Sequence, residues 1–376
     1  MTSPKAAVVR AALAAGASAV RVTDAQPDAR ERARLEAAYA RGDVATWAYP
    51  PERARTSTDP AALLPGARSV VCLALAYATP PPPRRAPLTG RISNYAWAAD
   101  YHARLRALAA QVAAEIERFA GPGSTRIACD TAPLAERAFA ARAGLGWVGK
   151  HTGLIAPGLG SFVFLAEVLT TLELTPDEPL RKSCGSCARC VDVCPTGALR
   201  GDYTMDSTRC ISDLTQRRDA IPRALRPLLG DWVWGCDLCN EACPPSRRAG
   251  PGGGAQFAAG GERAAFPDLQ ALLRVRGAAF RRAYGATALG WRGPAVLRRN
   301  AAVALGNALD RAAVPALEAA LSEDAQPLVR GHAAWALGRI GSPRALHALE
   351  AALDRETDAQ VRLEIAAALE PFLRTV

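Results

Sequence analysis

The chain has 376 residues, of which 49% are hydrophobic, and a formal net charge of +10. That length allows two or three domains with cores of their own, and a mean hydropathy near zero fits a soluble, globular protein. No run of eighteen apolar residues occurs, which excludes a membrane-spanning helix.

The apolar segment after Lys5 is interrupted by Arg10 and ends in no compact cleavage pattern. It is read as an amphipathic first helix rather than an export signal, and the protein as cytoplasmic, where thiols stay reduced. This helix is predicted over residues 4–16, ending at Gly16, followed by a short strand at Ala19–Val22. A second helix over 28–41 places Leu35 and Tyr39 on one face and closes at Gly42. The stretch from Pro50 to Gly66 is loop-rich and carries Arg53 and Arg55. Ser69–Ala76 is a continuous apolar run of strand length, the pattern of a strand covered on both faces, with Cys72 inside it as a small buried hydrophobe. Pro80–Pro83 forms a surface loop.

A long helix is predicted to open within Asn94–His102 and to run to about Phe119, where Gly121-Pro122-Gly123 stops it. Thr125–Asp130 is a second strand candidate that delivers Asp130 to a strand end, the place where open α/β sheets bind ligands. Taken alone, Asp130 reads better as a cap for a helix starting near Pro133. Leu134–Arg142 is helical and stops at Gly144. The segment Gly144-Leu-Gly-Trp-Val-Gly-Lys-His-Thr152 then has glycines spaced so that backbone can approach a ligand. It follows no strand and is not a nucleotide fingerprint. Gly160–Leu169 is a third strand.

The strongest signal is the run Cys184-Gly-Ser-Cys187-Ala-Arg-Cys190-Val-Asp-Val-Cys194-Pro195, completed by Cys210 and by Cys236-Asp-Leu-Cys239-Asn-Glu-Ala-Cys243-Pro244. This is the C-x2-C-x2-C-x3-C-P spacing of bacterial ferredoxins, in which three thiolates hold one cubane and the fourth reaches a second. The cross-wired reading gives Cys184, Cys187, Cys190 and Cys243 to one [4Fe–4S] cluster and Cys194, Cys210, Cys236 and Cys239 to the other. A third cysteine two residues beyond a C-x2-C pair does not suit one tetrahedral zinc ion, and disulfides would need an oxidising compartment.

Behind the cysteines, residues 244–300 hold ten Arg against two acids, whereas 301–376 hold seven Arg against ten acids. The basic stripe points to a polyanion, with nucleic acid favoured over membrane; a solvated arginine face is the bland alternative. Its members include Arg247, Arg248, Arg274, Arg276, Arg281, Arg282, Arg298 and Arg299. The tail repeats: Leu297, Val329 and Val361 recur at one spacing within similar Ala-rich segments, as in HEAT-like helix pairs. So few repeats should dock on the rest of the chain. The fold expected is α+β or α/β and multidomain: an α/β domain over 1–180, a ferredoxin-like domain over 181–245, a basic linker with helices over 246–295, and a HEAT-like α-solenoid over 296–376.

Tyr95–His102, Asp130-Thr-Ala-Pro-Leu-Ala-Glu-Arg137, Gly144–Lys150, both cysteine runs and Cys210–Gln216 stand here in an order that resembles the epoxyqueuosine reductases, from about residue 40 to the end of the chain. The resemblance implies a cobalamin cofactor between the N-terminal and cluster domains. It also implies reductive opening of an epoxide, with loss of water, in tRNA carrying epoxyqueuosine at the wobble position, giving queuosine. It makes Asp130 the proton donor and a cobalamin contact, and makes Arg53, Ser212 and Asp237 further cobalamin contacts. Lys150 and His151 become candidates to touch corrin amides or tRNA phosphate. His102, His332 and His347 receive no ligand role. A low-potential electron donor is implied as a partner, the membrane is not, and the chain is expected to be a monomer. Two other functions fit parts of the sequence: a corrinoid reductive dehalogenase, which would usually carry a twin-arginine signal, and an electron-transfer ferredoxin with an interaction solenoid, which leaves the first 180 residues without a task.

Overall fold

Every residue of the strand Ser69–Ala76 is buried, and this strand organises the N-terminal architecture. The computed structural model of the protein describes residues 3–45 and 49–373. The chain divides into two compact units. One comprises Met1–Pro80, Asp100–Thr208 and Asp237–Ala258; the other comprises Pro81–Ala99, Arg209–Cys236 and Ala259–Val376.

In the first unit a four-stranded sheet runs in the order Ala19–Asp24, Ser69–Ala76, Val163–Thr170, Thr125–Ala128. Side chains alternate across a strand, so the apolar run of the second strand feeds two cores. Val71 and Leu73 join Val20, Val22 and Val168 against Val8 and Ala12 of the first helix, Pro4–Ala14, and against Leu108, Val112 and Ile116 of the helix Tyr101–Ala120. Val70, Cys72 and Ala74 turn the other way and pack with Leu169 on Phe139 and Ala140 of the helix Glu136–Arg142. Truncating a fully buried leucine such as Leu108 to alanine would cost about 2–5 kcal/mol.

All three pairings in the sheet are antiparallel. The α+β form of the expectation is therefore the one observed, and the rule that ligands gather at the carboxyl ends of parallel strands does not place this site. Asp130 instead stands in the loop beyond the strand Thr125–Ala128. The helix predicted from Asn94 starts later, at Tyr101, because Asn94–Ala96 is only a single turn and the Asp100 side chain caps the real start by accepting from His102 N.

In the second unit the helices Pro294–Ala308, Pro327–Ile340 and Ala359–Leu373 stack in succession, with Val314–Glu323 and Pro343–Leu353 as partner helices. Leu297, Val329 and Val361 are all buried at equivalent places. Close stacking depends on missing side chains: a Cβ at Gly306 would lie 2.8 Å from Ala336 Cα, and one at Gly338 would lie 2.7 Å from Ala368 Cβ. The repeats dock, as so short an array must, on the segment 209–236. Asn300 Nδ2 donates to the carbonyls of Thr215 and Val233 at 2.7 Å each. In the same unit Arg91–Ile92 pairs in parallel with Trp232–Trp234. Among the described residues no helix is long and apolar enough to cross a membrane.

Candidate active site

Asp130 does not cap a helix. The helix after it begins at Glu136 with Ala135 at its N-cap and no side-chain cap. Asp130 adopts a left-handed backbone, φ 50°, a conformation that aspartate tolerates better than most residues. Its amide donates to Glu136 Oε1 at 2.6 Å, and its Oδ2 lies 2.9 Å from His102 Nε2. His102 Nδ1 in turn lies 2.6 Å from Asp100 Oδ1. An Asp–His–Asp line thus runs from the cap of the helix Tyr101–Ala120 to the loop after the edge strand.

The sequence did not reveal this line, because the contact between His102 and Asp130 is long-range. A local signal existed in Asp100-x-His102 at a helix start, where a capping carboxylate falls beside the imidazole two residues on. The ring is held by stacking as well: His102 lies on Tyr101 at 4.3 Å, and Tyr101 on Phe164 at 4.2 Å.

Behind the loop are two acids, Glu136 half-buried and Glu167 fully buried. Burial pushes the Glu136 carboxyl up to about 7, with the hydrogen bond from the Asp130 amide working in the opposite direction. Glu167 is fully buried in the strand Val163–Thr170, and burial, followed by the neighbouring Glu136, raises it well above the usual carboxylate range. An acid inside so apolar a strand was the visible signal for it. Neither Glu167 carboxyl oxygen has a hydrogen-bond partner.

The cysteine segments fold as successive tight turns: Cys187 N donates to Cys184 O, Cys194 N to Val191 O and Gly197 N to Cys194 O. The short helices Arg189–Asp192 and Leu238–Ala242 pack together within the first unit. Cys184, Cys187, Cys190 and Cys243 are electrostatic neighbours there. Burial raises the Cys190 thiol most, with Cys184 and Cys243 adding; burial raises Cys243 likewise, with Cys184 and Cys187 adding. Gly160, at φ 71°, lets the Cys243 segment close on the sheet domain, since a Cβ there would lie 2.4 Å from Ser246 Cα. Ser246 Oγ then accepts from Ser161 N at 2.9 Å. Cys194 and Cys239 belong to the first unit, Cys210 and Cys236 to the second.

Three family models match: one described as epoxyqueuosine reductase QueG, DUF1730, over residues 58–131; a 4Fe-4S double cluster binding domain over 183–246; and HEAT repeats over 292–370. The epoxyqueuosine reductase of Bacillus cereus is 36% identical over 284 residues, 73% of each chain. That of Staphylococcus aureus is 34% identical over 319 residues, 84% of this chain and 83% of the other. The chain belongs to the epoxyqueuosine reductase family. A crystal structure of selenomethionine-labelled epoxyqueuosine reductase matches it with a TM-score of 0.90 at 32% identity, covering 96% of this chain and 97% of the other. A second, solved with an epoxyqueuosine-modified tRNA-Tyr stem loop, matches at 0.89 and the same identity and coverage. A third, from Bacillus subtilis, has its aspartate catalytic loop swung out of the active site and matches at 0.88, again with that identity and coverage.

Epoxyqueuosine reductases depend on cobalamin as well as on two four-iron clusters. The glycine-rich turn fits a ligand bristling with amides. His151 Nδ1 accepts from Gly153 N at 3.0 Å, which leaves Nε2–H as a donor. That nitrogen and Trp147 Nε1 are buried without a hydrogen-bond partner, and corrin side-chain amides supply carbonyl acceptors. Burial pushes His151 down to about 4. It is therefore neutral near pH 7, and its Nε2–H donates without adding charge. Lys150 is half-buried.

Arg53 lies on the helix Glu52–Ser57, 4.9 Å over the Tyr49 ring. That helix is tied to the Asp130 loop by Ala135 N donating to Ser57 O at 2.7 Å. Asp237 is buried at the start of the helix Leu238–Ala242. Ser212 lies in the second unit, on the helix Ile211–Gln216, and its Oγ accepts from Gln216 Nε2 at 3.2 Å.

The arginine stripe divides. Arg247, Arg248, Arg274, Arg281 and Arg282 are exposed. Arg298 and Arg299 are not phosphate contacts, contrary to the sequence expectation. Arg298 is buried and pairs with Asp324, its Nε 2.8 Å from Oδ2. Arg299 is fully buried and donates to the carbonyls of Leu214, Arg217 and Asp219. Arg276 also reaches Asp324, at 2.8 Å, while its side chain stays half exposed. His332 is structural too, accepting at Nε2 from Ile221 N at 3.2 Å.

Proposed function

We propose that Asp130 is the general acid of the epoxyqueuosine reductase reaction in this chain, and that Arg53, Asp130, Ser212 and Asp237 hold the cobalamin. The observation that supports the acid role is the Asp130 turn itself. It is a left-handed, non-glycine residue whose amide is fixed by Glu136 and whose carboxyl is free of any capping task. Bound cobalamin supplies the reducing cobalt centre at which the epoxide is opened. Asp130 supplies a proton to the oxygen that leaves. Trp147 Nε1 and His151 Nε2 donate to corrin amides, and the neutral His151 adds no charge to the site.

Cys184, Cys187, Cys190 and Cys243 hold one cluster, and Cys194, Cys210, Cys236 and Cys239 the other. One-electron carriers in series suit a two-electron reduction fed by a low-potential donor. The chain is read as a monomer acting in the cytoplasm on tRNA. The test is anaerobic turnover of an epoxyqueuosine-bearing tRNA stem loop by Asp130→Asn, loaded with cobalamin and both clusters. An amide keeps the shape but cannot give the proton, so a loss of about 10²–10⁴-fold is expected, with cobalamin and clusters retained. Wild-type turnover would remove Asp130 from the chemistry.

A further inference from the structure

We infer that His102 is the relay that reloads Asp130 with a proton within each turnover, oriented for this by Asp100. The inference rests on Asp130 being the general acid and goes beyond it.

Converting an epoxide to an alkene takes up two electrons and two protons and releases one water. The electrons come through the clusters, but a single carboxylic acid carries one proton at a time. After its first delivery Asp130 is a carboxylate, and the second proton must reach it before the cycle closes. His102 is built to supply it. Nε2 faces Asp130 Oδ2 at 2.9 Å and Nδ1 faces Asp100 Oδ1 at 2.6 Å. A carboxylate at Nδ1 can only accept, so Nδ1 keeps its hydrogen and the exchangeable proton is the one at Nε2.

The step balances. The Nε2–H bond of the imidazolium breaks, an O–H bond forms on Asp130 Oδ2, and a neutral ring with Nδ1–H remains. The ring then takes a proton from water. Its side chain is 20% exposed, enough to exchange with solvent. The ring cannot turn away easily, because it lies on Tyr101 at an interplanar angle of 22°, and Tyr101 lies on Phe164 at 7°. The charged groups around the ring are Asp100 from its own helix start, Asp130 and Glu136 from the loop and helix opposite, and the buried Glu167 behind them. Arg106 stands one turn along the helix and Arg137 beside Glu136. Neither acid behind the loop can replace the ring, since no hydrogen bond joins Glu136 or Glu167 to the Asp130 carboxyl; Glu136 holds only its amide.

The test compares full-length wild type, Asp130→Asn, His102→Gln and His102→Gly, each loaded with both clusters and cobalamin, on an epoxyqueuosine-bearing tRNA stem loop. The relay predicts that His102→Gln lowers kcat at about pH 8 on the order of 10²-fold, with KM for the stem loop and the bound-cobalamin absorbance unchanged. The deficit should shrink as pH falls, because hydronium reloads Asp130 directly. Added imidazole should restore His102→Gly but not Asp130→Asn. A wild-type kcat and pH profile in His102→Gln, beside an inactive Asp130→Asn, would overturn the relay and leave the acid standing. So would failure of imidazole to rescue a His102→Gly protein that still binds cobalamin and stem loop. Loss of cobalamin from both His102 variants would mean that the ring shapes the pocket rather than moving a proton, and also overturns it. Full activity in Asp130→Asn would sink the acid and the relay together.

Discussion

The amide of Asp130 donates to Glu136 Oε1 at 2.6 Å, across a turn in which Asp130 itself sits at φ 50°. An L-residue in that region pays roughly 1–2 kcal/mol in steric strain, and a hydrogen bond to a carboxylate returns about 1.5–3 kcal/mol. Glu136 therefore holds the proposed acid in place. Glu136→Ala should release the turn and lower kcat by about 10-fold or more, with cobalamin still bound. Glu136→Gln keeps an accepting oxygen and should stay within a few-fold of wild type. Stem-loop turnover by both variants measures this; equal activity of Glu136→Ala and wild type would show that other contacts fix the turn.

The same acid, with Glu167, sets a pH dependence of stability. Burial lifts Glu136 from 4.5 to about 7 and raises Glu167 well above the usual carboxylate range. Groups whose folded pKa is raised stabilise the fold fully below their unfolded pKa, and that contribution is lost as pH rises through the folded value. For Glu136 the loss falls between 4.5 and about 7. Glu167→Gln fits the same volume without an ionisable proton. Its melting temperature should exceed that of wild type above neutral pH by a few °C, on the order expected for 1–2 kcal/mol in a chain of this size, and the two should converge toward pH 5. Parallel melting curves at every pH would mean that Glu167 is already relieved by a buried partner.

How far the sequence disclosed these features depends on range. The double-cluster domain was legible because its cysteine spacing is local, and the Ser69–Ala76 strand because an unbroken apolar run can only be buried on both faces. Arg298 was misread as a phosphate contact although its own repeat carried the answer. Arg298 pairs with Asp324, and Arg330, at the equivalent repeat position, pairs with Glu356 at 2.7 Å. Both arginines close the same link of the solenoid. The line from His102 to Asp130 had no such echo, since it is created by packing a helix start against a loop distant in sequence.

The cross-wired clusters give a sharp test. Cys184 and Cys187 act electrostatically on the Cys243 thiol, and Cys184 and Cys243 on that of Cys190, which supports the cross-wired assignment. Cys243→Ala should therefore damage the cluster held by the first cysteine run and leave the other with four ligands. Iron analysis should fall from about eight per chain toward about four. Electron paramagnetic resonance of the reduced protein, compared with Cys187→Ala and Cys236→Ala, should show the Cys187 pattern. The Cys236 pattern would reverse the assignment.

The last prediction separates the arginines that build the fold from those that are free to meet tRNA. Arg299 is fully buried, with burial working against its charge and carbonyls of Leu214, Arg217 and Asp219 receiving its hydrogens. Removing it strands those acceptors, so Arg299→Ala should destabilise the protein by about 3–5 kcal/mol, in the range for breaking buried charge networks. Arg281 and Arg282 are exposed on the helix Gly277–Tyr284, and their reversal to glutamate should leave the melting temperature nearly unchanged. If they contact phosphates, the double reversal should weaken stem-loop binding and flatten its salt dependence, because each lost contact removes roughly one unit from the log–log slope. Recognition of the modified base should survive among the molecules that still bind, since phosphate contacts position the nucleic acid without reading it. Filter binding across a salt series, with calorimetry on the same proteins, measures both effects. Equal slopes for wild type and the double variant would make this pair a solvated face, and the exposed Arg247, Arg248 and Arg274 would then be the next contacts to reverse.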